Sequence, residues 1–394
     1  DFREFFRKAT GLPDPYPYQE QMAVQNGLPY LLSAPTGIGK TAATILAWLW
    51  RRLGAGRQGG NQTPRRLVYC LPMRVLVEQT RDNAVLWLHN LGLLAGTAEF
   101  DEQDGRKKLR SYAPGSDDPE KVAVHVLMGG EEADDWDLYP EREAIIVGTQ
   151  DMLLSRALNR GYAASRARWP MQFGLLHTDC LWVFDEIQLM GSGLATTTQL
   201  EAFRQLLGEH DGHGCQSMWM SATLDDKWLE TVDFKRILSA LPASARLTFD
   251  FEKEVNTPGL NERAKEMLED RWNATKPLKK ACKTTGDAAG LAGEIRKAHK
   301  LGTRTIVVVN RVRSACDLYR ELSKQRVSAK LVLLHSRFRP GDRKKQMGEA
   351  LTKIEPDEAG TIVVSTQVIE AGVDFSATTL FTELAPWASL VQRF

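Results

Sequence analysis

Three observations predict that the chain folds into two tandem α/β domains. Its 394 residues are enough for two domains that each bury a core of their own. Short apolar runs alternate with helix-length segments, which is typical of parallel sheets covered on both faces. A polar stretch separates two sets of these runs. We therefore predict a first domain at 1–232, a connection at 233–287 and a second domain at 288–394.

Eight of the apolar runs are predicted to be β-strands. They are rich in β-branched residues and lack polar alternation, which indicates strands buried on both faces. The predicted strands are 66–71, 122–127, 144–147, 181–184, 217–220, 305–309, 330–334 and 361–364.

Composition limits the classes of partner and the cellular setting. Lys and Arg (51) nearly balance Asp and Glu (50), so any polyanion would have to be held by local basic patches. The five cysteines are scattered without a C-x-x-C pair, which favours reduced thiols over disulfides or a zinc site. No apolar run has membrane-spanning length, and the N-terminus lacks a signal-peptide pattern. We expect a cytoplasmic protein without a membrane partner.

The stretch 34–41 follows the phosphate-loop pattern G-x-x-x-x-G-K-[ST], with Ala34 in the first glycine's place. A short apolar run precedes it and a helix-forming run follows it. This arrangement points backbone N–H groups and the positive end of a helix at phosphate. Lys40 would reach the outer phosphates, and the Thr41 hydroxyl would hold Mg2+. The nucleotide-binding residues predicted in this loop are Thr36, Gly37, Gly39, Lys40 and Thr41.

Two further polar motifs follow apolar strands. The run 181–184 ends in Asp185 and Glu186, which alone could be an acidic turn. Behind a phosphate loop, the pair suits a triphosphatase, in which Asp185 holds the metal and Glu186 orients and deprotonates the attacking water. The run 217–220 ends in Ser221-Ala222-Thr223, a weak motif by itself.

The order of these three motifs resembles the superfamily 2 helicases, which hydrolyse ATP with two RecA-like domains. In that family the Ser-Ala-Thr tripeptide couples ATP hydrolysis to domain movement, which implies coupling roles for Gln188, Ser221 and Thr223. The segment 16–19 resembles the adenine-reading motif. Gln19 would then contact the adenine edge, and a neighbouring tyrosine would stack on the base.

The same resemblance implies further contacts along both domains. Strand ends that present hydroxyls, amides and N–H groups suit backbone contacts that ignore nucleic-acid sequence. The implied nucleic-acid contacts are Arg74, Gln79, Gly130, Thr149, Asn310, Arg337 and Thr366. From the second domain, Gly372 and Asp374 would contact ATP, and Gln392 would belong to the catalytic motif that supplies arginine fingers.

Within this superfamily, the residues of several motifs resemble those of the CRISPR-associated helicase–nuclease of type I interference systems. The segments that carry this resemblance are 16–19, 185–190, 334–338, 364–375 and 385–393. In that family, a CRISPR surveillance complex with guide RNA opens target DNA. The helicase then pulls the displaced single-stranded DNA while an attached HD-type nuclease domain cuts it.

Two departures from that family shape our expectations. The only His-Asp pair, His210-Asp211, lies in a glycine-bounded segment that we predict to be a solvated loop. We therefore expect the nuclease on another chain, before Asp1 or, preferably, beyond Phe394. The arginine that should follow Arg393 is absent, so we expect a second domain truncated at its C-terminus and weak ATP hydrolysis. A smaller departure is Gln188, where the superfamily usually has His or Asp.

Two alternative functions stay open. One is another superfamily 2 helicase acting on DNA or RNA, which stimulation of ATP turnover by one nucleic acid or the other would identify. The second is an ATP-switched, non-catalytic nucleic-acid clamp. A Glu186→Gln change should leave a clamp intact and stop a motor.

Overall fold

The computed structural model describes residues 1–54, 63–103, 106–115, 118–129, 135–207, 214–369 and 376–393. Its contacts group the chain into two compact units, Asp1–Ala274 and Thr275–Phe394. Each unit is an α/β structure built on a parallel sheet, so the predicted fold class is confirmed. The division differs from the predicted connection at 233–287, because residues up to Ala274 pack within the first unit.

In the first unit, the helices are α1 (Phe2–Thr10), α2 (Pro17–Val24), α3 (Lys40–Leu53), α4 (Arg74–Leu91), α5 (Gln150–Ala157), α6 (Trp169–His177), α7 (Gly193–Leu207), α8 (Lys235–Ala240), α9 (Phe251–Val255) and α10 (Glu262–Trp272). The strands are β1 (Leu31–Ser33), β2 (Arg66–Leu71), β3 (Thr97–Gln103), β4 (Arg106–Ala113), β5 (Ala123–Leu127), β6 (Ala144–Thr149), β7 (Cys180–Phe184), β8 (Gln216–Ser221) and β9 (Arg246–Thr248).

Seven strands of the first unit form one sheet in the order β5-β6-β2-β7-β8-β1-β9. Every pairing within it is parallel. The carboxyl ends of all seven strands therefore meet at one edge, which is where open α/β sheets bind their ligands. The loops that follow β1, β7 and β8 are thereby brought together.

Both faces of this sheet are buried, as the apolar strands predict. In β2, Leu67 and Tyr69 pack into one hydrophobic core, while Val68 and Cys70 pack into the core on the opposite face. Successive side chains of a strand point to opposite faces, so a strand covered on both sides needs a continuous apolar run. The buried strands β2, β5, β6, β7 and β8 confirm the predictions made for the first domain.

Two elements of the first unit were not predicted. Strands β3 and β4 form a separate antiparallel hairpin in which Asp101 faces Lys108 and Glu102 faces Lys107. Opposite charges on facing strands stabilise such a pair, which accounts for the basic run in β4. The other element, β9, pairs with the phosphate-loop strand β1 and extends the main sheet. This pairing holds the segment after β8 in the first unit.

Glu254 on α9 joins this late segment to the start of the chain. Its Oε2 accepts a hydrogen bond from the Tyr18 backbone N–H at 3.1 Å, and its side chain is buried. Burial raises the pKa of Glu254 to about 7; the Tyr18 N–H opposes the rise and the charge of Asp250 adds to it. Because burial disfavours the ionised form, this carboxyl stays protonated in the fold to a higher pH than an ordinary glutamate does.

We expect Glu254→Gln to stabilise the protein at alkaline pH. A carboxyl whose folded pKa is raised from 4.5 to about 7 costs no stability below pH 4.5. The cost grows as pH rises and reaches roughly 3 kcal/mol above pH 7. Glutamine keeps the acceptor for Tyr18 without the charge, so urea unfolding at pH 8 should show a gain that vanishes near pH 4.5. Glu252→Gln, on the exposed side of α9, is the matched control; an equal loss for E254Q at both pH values would contradict this account.

The second unit repeats the architecture on a smaller scale. Its helices are α11 (Ala288–Ala298), α12 (Val312–Lys324), α13 (Pro340–Leu351) and α14 (Trp387–Arg393), and its strands are β10 (Arg304–Val308), β11 (Lys330–Leu334), β12 (Thr361–Ser365) and β13 (Thr379–Thr382). The four strands form a parallel sheet in the order β11-β12-β10-β13. The three strands predicted here are confirmed, and β13 is an addition.

Composition led to two expectations, reduced cysteine thiols and a chain without a membrane-spanning segment. All five cysteines are free thiols; Cys70 and Cys180 are buried, whereas Cys282 is exposed. Across the described ranges, no helix combines the length and the apolar character needed to cross a bilayer.

Candidate functional site

The phosphate loop joins the end of β1 to the start of α3. Gly37 has a φ of 81° and Gly39, which caps α3, a φ of 82°, a region that L side chains rarely adopt. A Cβ added to Gly39 would also lie 2.7 Å from Nε2 of Gln19. The loop therefore needs glycine at position 39 for both its conformation and its packing.

Gln19 links the phosphate loop to the start of α2 through two hydrogen bonds. Its Nε2 donates to the Gly39 carbonyl at 3.0 Å, and its Oε1 accepts from the Tyr16 backbone N–H at 2.8 Å. The neighbouring Tyr18 is buried, donates its hydroxyl to the Ile38 carbonyl at 2.7 Å and packs its ring against another aromatic side chain. The ring of Tyr18 is thus not free to stack on a base. The adenine contact of Gln19 stays a prediction.

Lys40, at the first position of α3, is the central cation of the site. Its side chain is 6% exposed, and its Nζ lies 3.4 Å from Oε1 of Glu186. Within the described part of the chain, this Nζ has no hydrogen-bond partner. Glu186 supplies a counter-charge, but the ammonium keeps unused hydrogen-bond donors, and unused buried donors are costly. A phosphate group in the loop above would satisfy the missing hydrogen bonds, so Lys40 fits a nucleotide.

Asp185 lies at the carboxyl end of β7. Its Oδ2 accepts from the Tyr69 hydroxyl at 2.9 Å and its Oδ1 from the Glu186 backbone N–H at 2.8 Å. Burial, aided by the charge of Glu186, raises the pKa of Asp185 to about 6, and the charge of Lys40 opposes the rise. The cost of an ionised carboxylate here falls when a divalent cation lies beside it.

Tyr69 lies beside the two residues predicted to hold Mg2+. Its hydroxyl donates to Oδ2 of Asp185 at 2.9 Å, and the Thr41 side chain is a near neighbour of the same hydroxyl. Hydroxyl and carboxylate oxygens are hard donors that suit Mg2+, so Thr41 and Asp185 fit that ion. Sequence reasoning missed Tyr69 because it lies within an apolar strand. A tyrosine in a strand predicted to be buried on both faces could have indicated this role, because a buried hydroxyl requires a hydrogen-bond partner.

A continuous hydrogen-bond path leads away from Glu186. Its backbone is left-handed, with φ 52° and ψ 47°, an unfavourable conformation that often marks functional sites. Gln188 Nε2 donates to Oε2 of Glu186 at 2.5 Å, and the Ser221 hydroxyl donates to Gln188 Oε1 at 2.8 Å. The Thr223 backbone N–H in turn donates to Ser221 Oγ at 3.0 Å. The three residues predicted to couple are therefore joined in space.

The nucleic-acid candidates of the first unit follow other strands. Arg74 starts α4 after β2, is exposed, and donates its guanidinium to the carbonyl of Gly129, which follows β5. Gln79 is exposed on the same helix. Thr149 ends β6 and is buried, with a hydroxyl that lacks a hydrogen-bond partner among the described residues. Gly130 lies outside the described residues.

In the second unit, the predicted residues differ in accessibility. The Asn310 side chain donates to the Leu384 carbonyl at 2.7 Å and accepts from Arg393 at 3.0 Å. Arg337 is exposed, whereas Thr366 is buried at the end of β12. Residue Gln392 lies in α14. Positions Gly372 and Asp374 lie outside the described residues.

Within the described residues, neither a metal cluster nor the cleft described next coincides with these predicted positions. In the described part of the chain, no group of three or more His, Cys, Asp or Glu side chains could hold a metal ion, and His210-Asp211 lies outside that part. A cleft of about 430 Å³ has Arg65, Arg66 and Asp179 among its lining residues. It lies at the amino-terminal ends of β2 and β7, the opposite edge of the sheet, and contains none of the predicted site residues.

Comparison with protein families agrees with this geometry. Residues 16–232, more than half of the chain, match the DEAD/DEAH box helicases. Residues 301–394 match the C-terminal region of the CRISPR-associated nuclease/helicase Cas3. A CRISPR-associated nuclease/helicase Cas3 of Methanothermobacter thermautotrophicus is 25% identical over 412 residues. That alignment covers all of this chain and 41% of the relative.

Solved structures share the fold at low identity. Mss116p bound to single-stranded RNA and AMP-PNP has a TM-score of 0.62 and 17% identity, covering 99% of this chain and 69% of that one. The T. fusca Cas3–AMPPNP structure has a TM-score of 0.58 and 18% identity, covering 99% and 44%. These similarities establish two RecA-like domains.

Proposed function

Because the chain belongs to the DEAD/DEAH box helicases and carries the helicase module of the CRISPR-associated nuclease/helicases, we propose that it is an ATP-dependent single-stranded DNA translocase. It would unwind target DNA for degradation in type I CRISPR interference. The chain spans 41% of the length of the Methanothermobacter thermautotrophicus relative, so the activity of the whole protein belongs to the same proposal.

The observation that carries the proposal is the Lys40 ammonium, buried beneath the loop without a hydrogen-bond partner among the described residues. Lys40 would hold the outer phosphates of ATP. Glu186, held between Lys40 and Gln188, would orient the attacking water and accept its proton. Asp185 and Thr41 would hold Mg2+, which would neutralise charge on the phosphates.

The two sets of predicted contacts would lie on different halves of the sheet edge. The predicted ATP residues of the first unit follow β1, β7 and β8, whereas its nucleic-acid candidates follow β5, β6 and β2. Arg74 and Gln79 are exposed there, which suits contact with a sugar–phosphate backbone. ATP turnover on one half would then drive movement along a strand held on the other. The path from Glu186 through Gln188 to Ser221 lies within the ATP half and would pass a change at Glu186 on to Thr223.

We further propose that the partners are single-stranded DNA, a CRISPR surveillance complex with guide RNA, and an HD-type nuclease domain, fused or separate. Relatives of this fold include proteins bound to RNA and to DNA, so fold similarity supports no choice between the two. The CRISPR-type match of residues 301–394 supports DNA.

ATP hydrolysis should therefore be measured with no nucleic acid, with single-stranded DNA and with single-stranded RNA. We expect DNA to give the strongest stimulation, and binding to weaken as salt rises because phosphate contacts release counterions. Stimulation by RNA alone would identify an RNA helicase. Nucleotide-dependent DNA binding without any turnover would identify a clamp.

The Gln188 contacts lead to a prediction on turnover. We expect Gln188→Ala to lower kcat for ATP about tenfold to a hundredfold, because residues that orient a reacting group have effects of this size. Gln188→Glu should lower it further, since a second carboxylate would repel the charge of Glu186 and could not donate to it as Gln188 does. Steady-state ATPase assays with DNA check both values. Equal activity of Q188E and wild type would show that Gln188 does not position Glu186.

A further inference from the structure

Three successive carbonyls of the phosphate loop accept hydrogen bonds from side chains outside the loop. The Gly39 carbonyl accepts from Gln19 and the Ile38 carbonyl accepts from Tyr18. The Gly37 carbonyl accepts from the guanidinium of Arg271 on α10. Gln19 and Tyr18 both belong to α2, the helix that precedes β1. Arg271 comes from 234 residues further along the chain and has no part in any predicted motif.

These contacts determine the direction of the loop N–H groups. In a trans peptide unit, the C=O of one residue points opposite to the N–H of the next. Each side chain that holds a carbonyl on one side therefore turns the following N–H to the other side. By binding the Gly37 carbonyl, Arg271 sets the direction of the Ile38 N–H. By binding the Gly39 carbonyl, Gln19 sets the direction of the Lys40 N–H. Aligned N–H groups are what bind phosphate in such loops.

Aromatic contacts anchor the end of α10 beside the loop. Trp272 stacks on Phe251 with ring centroids 4.7 Å apart and an angle of 5° between planes. Its ring also lies 6.0 Å from Phe249, which packs edge-on against Tyr18 at 5.8 Å. This series of contacts runs from Tyr18 to Trp272, and both Tyr18 and Arg271, the residue before Trp272, donate to loop carbonyls. The position of Arg271 is thus set by its neighbour Trp272 and is tied to the helix that carries Gln19.

We propose that Arg271 is a positioning residue of the nucleotide site, which holds the phosphate loop ready for the phosphates of ATP. This inference rests on the proposed ATP-binding function of the loop. Arg271 acts on phosphate only through Gly37. It also lies three residues before Ala274, the end of the first unit, so one side chain ties the loop to the segment that continues into the second unit.

The test compares Arg271→Ala, Arg271→Lys and Arg263→Ala. Arg263 is an exposed arginine on α10, so R263A removes the same charge from the same helix. The first readout is binding of MgADP by titration calorimetry, without nucleic acid. We expect R271A to weaken binding about tenfold, the effect of one lost hydrogen bond to a charged donor. R271K should recover part of the affinity, and R263A should match wild type.

A second readout separates positioning from general stability. A purely structural role would lower Tm equally with and without MgADP, whereas a positioning role reduces the rise in Tm that MgADP produces. ATPase assays should show a higher KM with kcat within about twofold, as loss of uniform binding predicts. Unchanged MgADP affinity in R271A, or an equal loss in R263A, would overturn the inference. Failure of wild type to bind MgADP would refute the proposed function instead.

Discussion

Glu186→Gln is expected to reduce DNA-stimulated ATP hydrolysis by roughly two to four orders of magnitude while MgATP binding is retained. Glutamine preserves the shape and can still contact Lys40 and Gln188, but it cannot accept a proton from water. Binding should persist because the phosphate contacts come from Lys40 and the loop. The change therefore removes the chemical step alone.

Phosphate release under single-turnover conditions would measure this loss, and titration of MgATP would measure binding. Glu120→Gln, at an exposed glutamate, is the matched control and should behave like wild type. Wild-type turnover in E186Q would show that Glu186 is not the base. Intact DNA and nucleotide binding by a wild type that never hydrolyses ATP would favour the clamp.

Lys40→Ala should have a different signature, because it removes the buried cation itself. We expect ATP turnover to fall by roughly two to three orders of magnitude, the size of effect seen when a preorganised charge-stabilising donor is lost. Unlike E186Q, this variant should also bind MgATP at least tenfold more weakly, since a charge-assisted contact to phosphate disappears.

The charge on Lys40 also affects Asp185. Lys40 opposes the rise in the pKa of Asp185 to about 6, so its removal should raise that pKa further. More of the carboxyl is then protonated at a given pH, and the remaining activity of K40A should fall more steeply than that of wild type between pH 8 and pH 6. An ATPase pH profile checks this, with the exposed Lys235→Ala as control. Normal turnover by K40A would exclude the loop as the ATP site.

Most of the sheet framework was predictable from local patterns. All eight predicted strands are present, because a strand buried on both faces requires a continuous apolar run wherever it lies in the chain. The phosphate loop was predictable for a related reason. Glycines at positions 37 and 39 supply the positive φ values that this turn requires, and Lys40 directly follows them. Such requirements act within a few residues and are visible in sequence.

The sequence predicted that the polar residues after the strands lie near one another, but it did not predict their individual hydrogen bonds. Asp185, Glu186, Ser221 and Thr223 each follow an apolar strand, and parallel strands bring their carboxyl ends to one edge. The motif Ser-Ala-Thr could be placed near Asp-Glu on this basis. The individual bonds, from Ser221 to Gln188 and from Gln188 to Glu186, depend on side-chain conformations that only packing decides.

By itself the sequence determined the two-domain α/β class, the buried strands, the phosphate loop and the acidic motif. The tertiary structure alone decided that β9 extends the first sheet and that the Tyr69 hydroxyl donates to Asp185. It also decided that Glu254 accepts a hydrogen bond from the Tyr18 backbone and that Arg271 donates one to the Gly37 carbonyl of the phosphate loop. These contacts join residues 116 to 236 positions apart, and no local periodicity records such pairs. Local patterns report what a segment must bury, whereas the partner of a buried polar group depends on how distant segments pack.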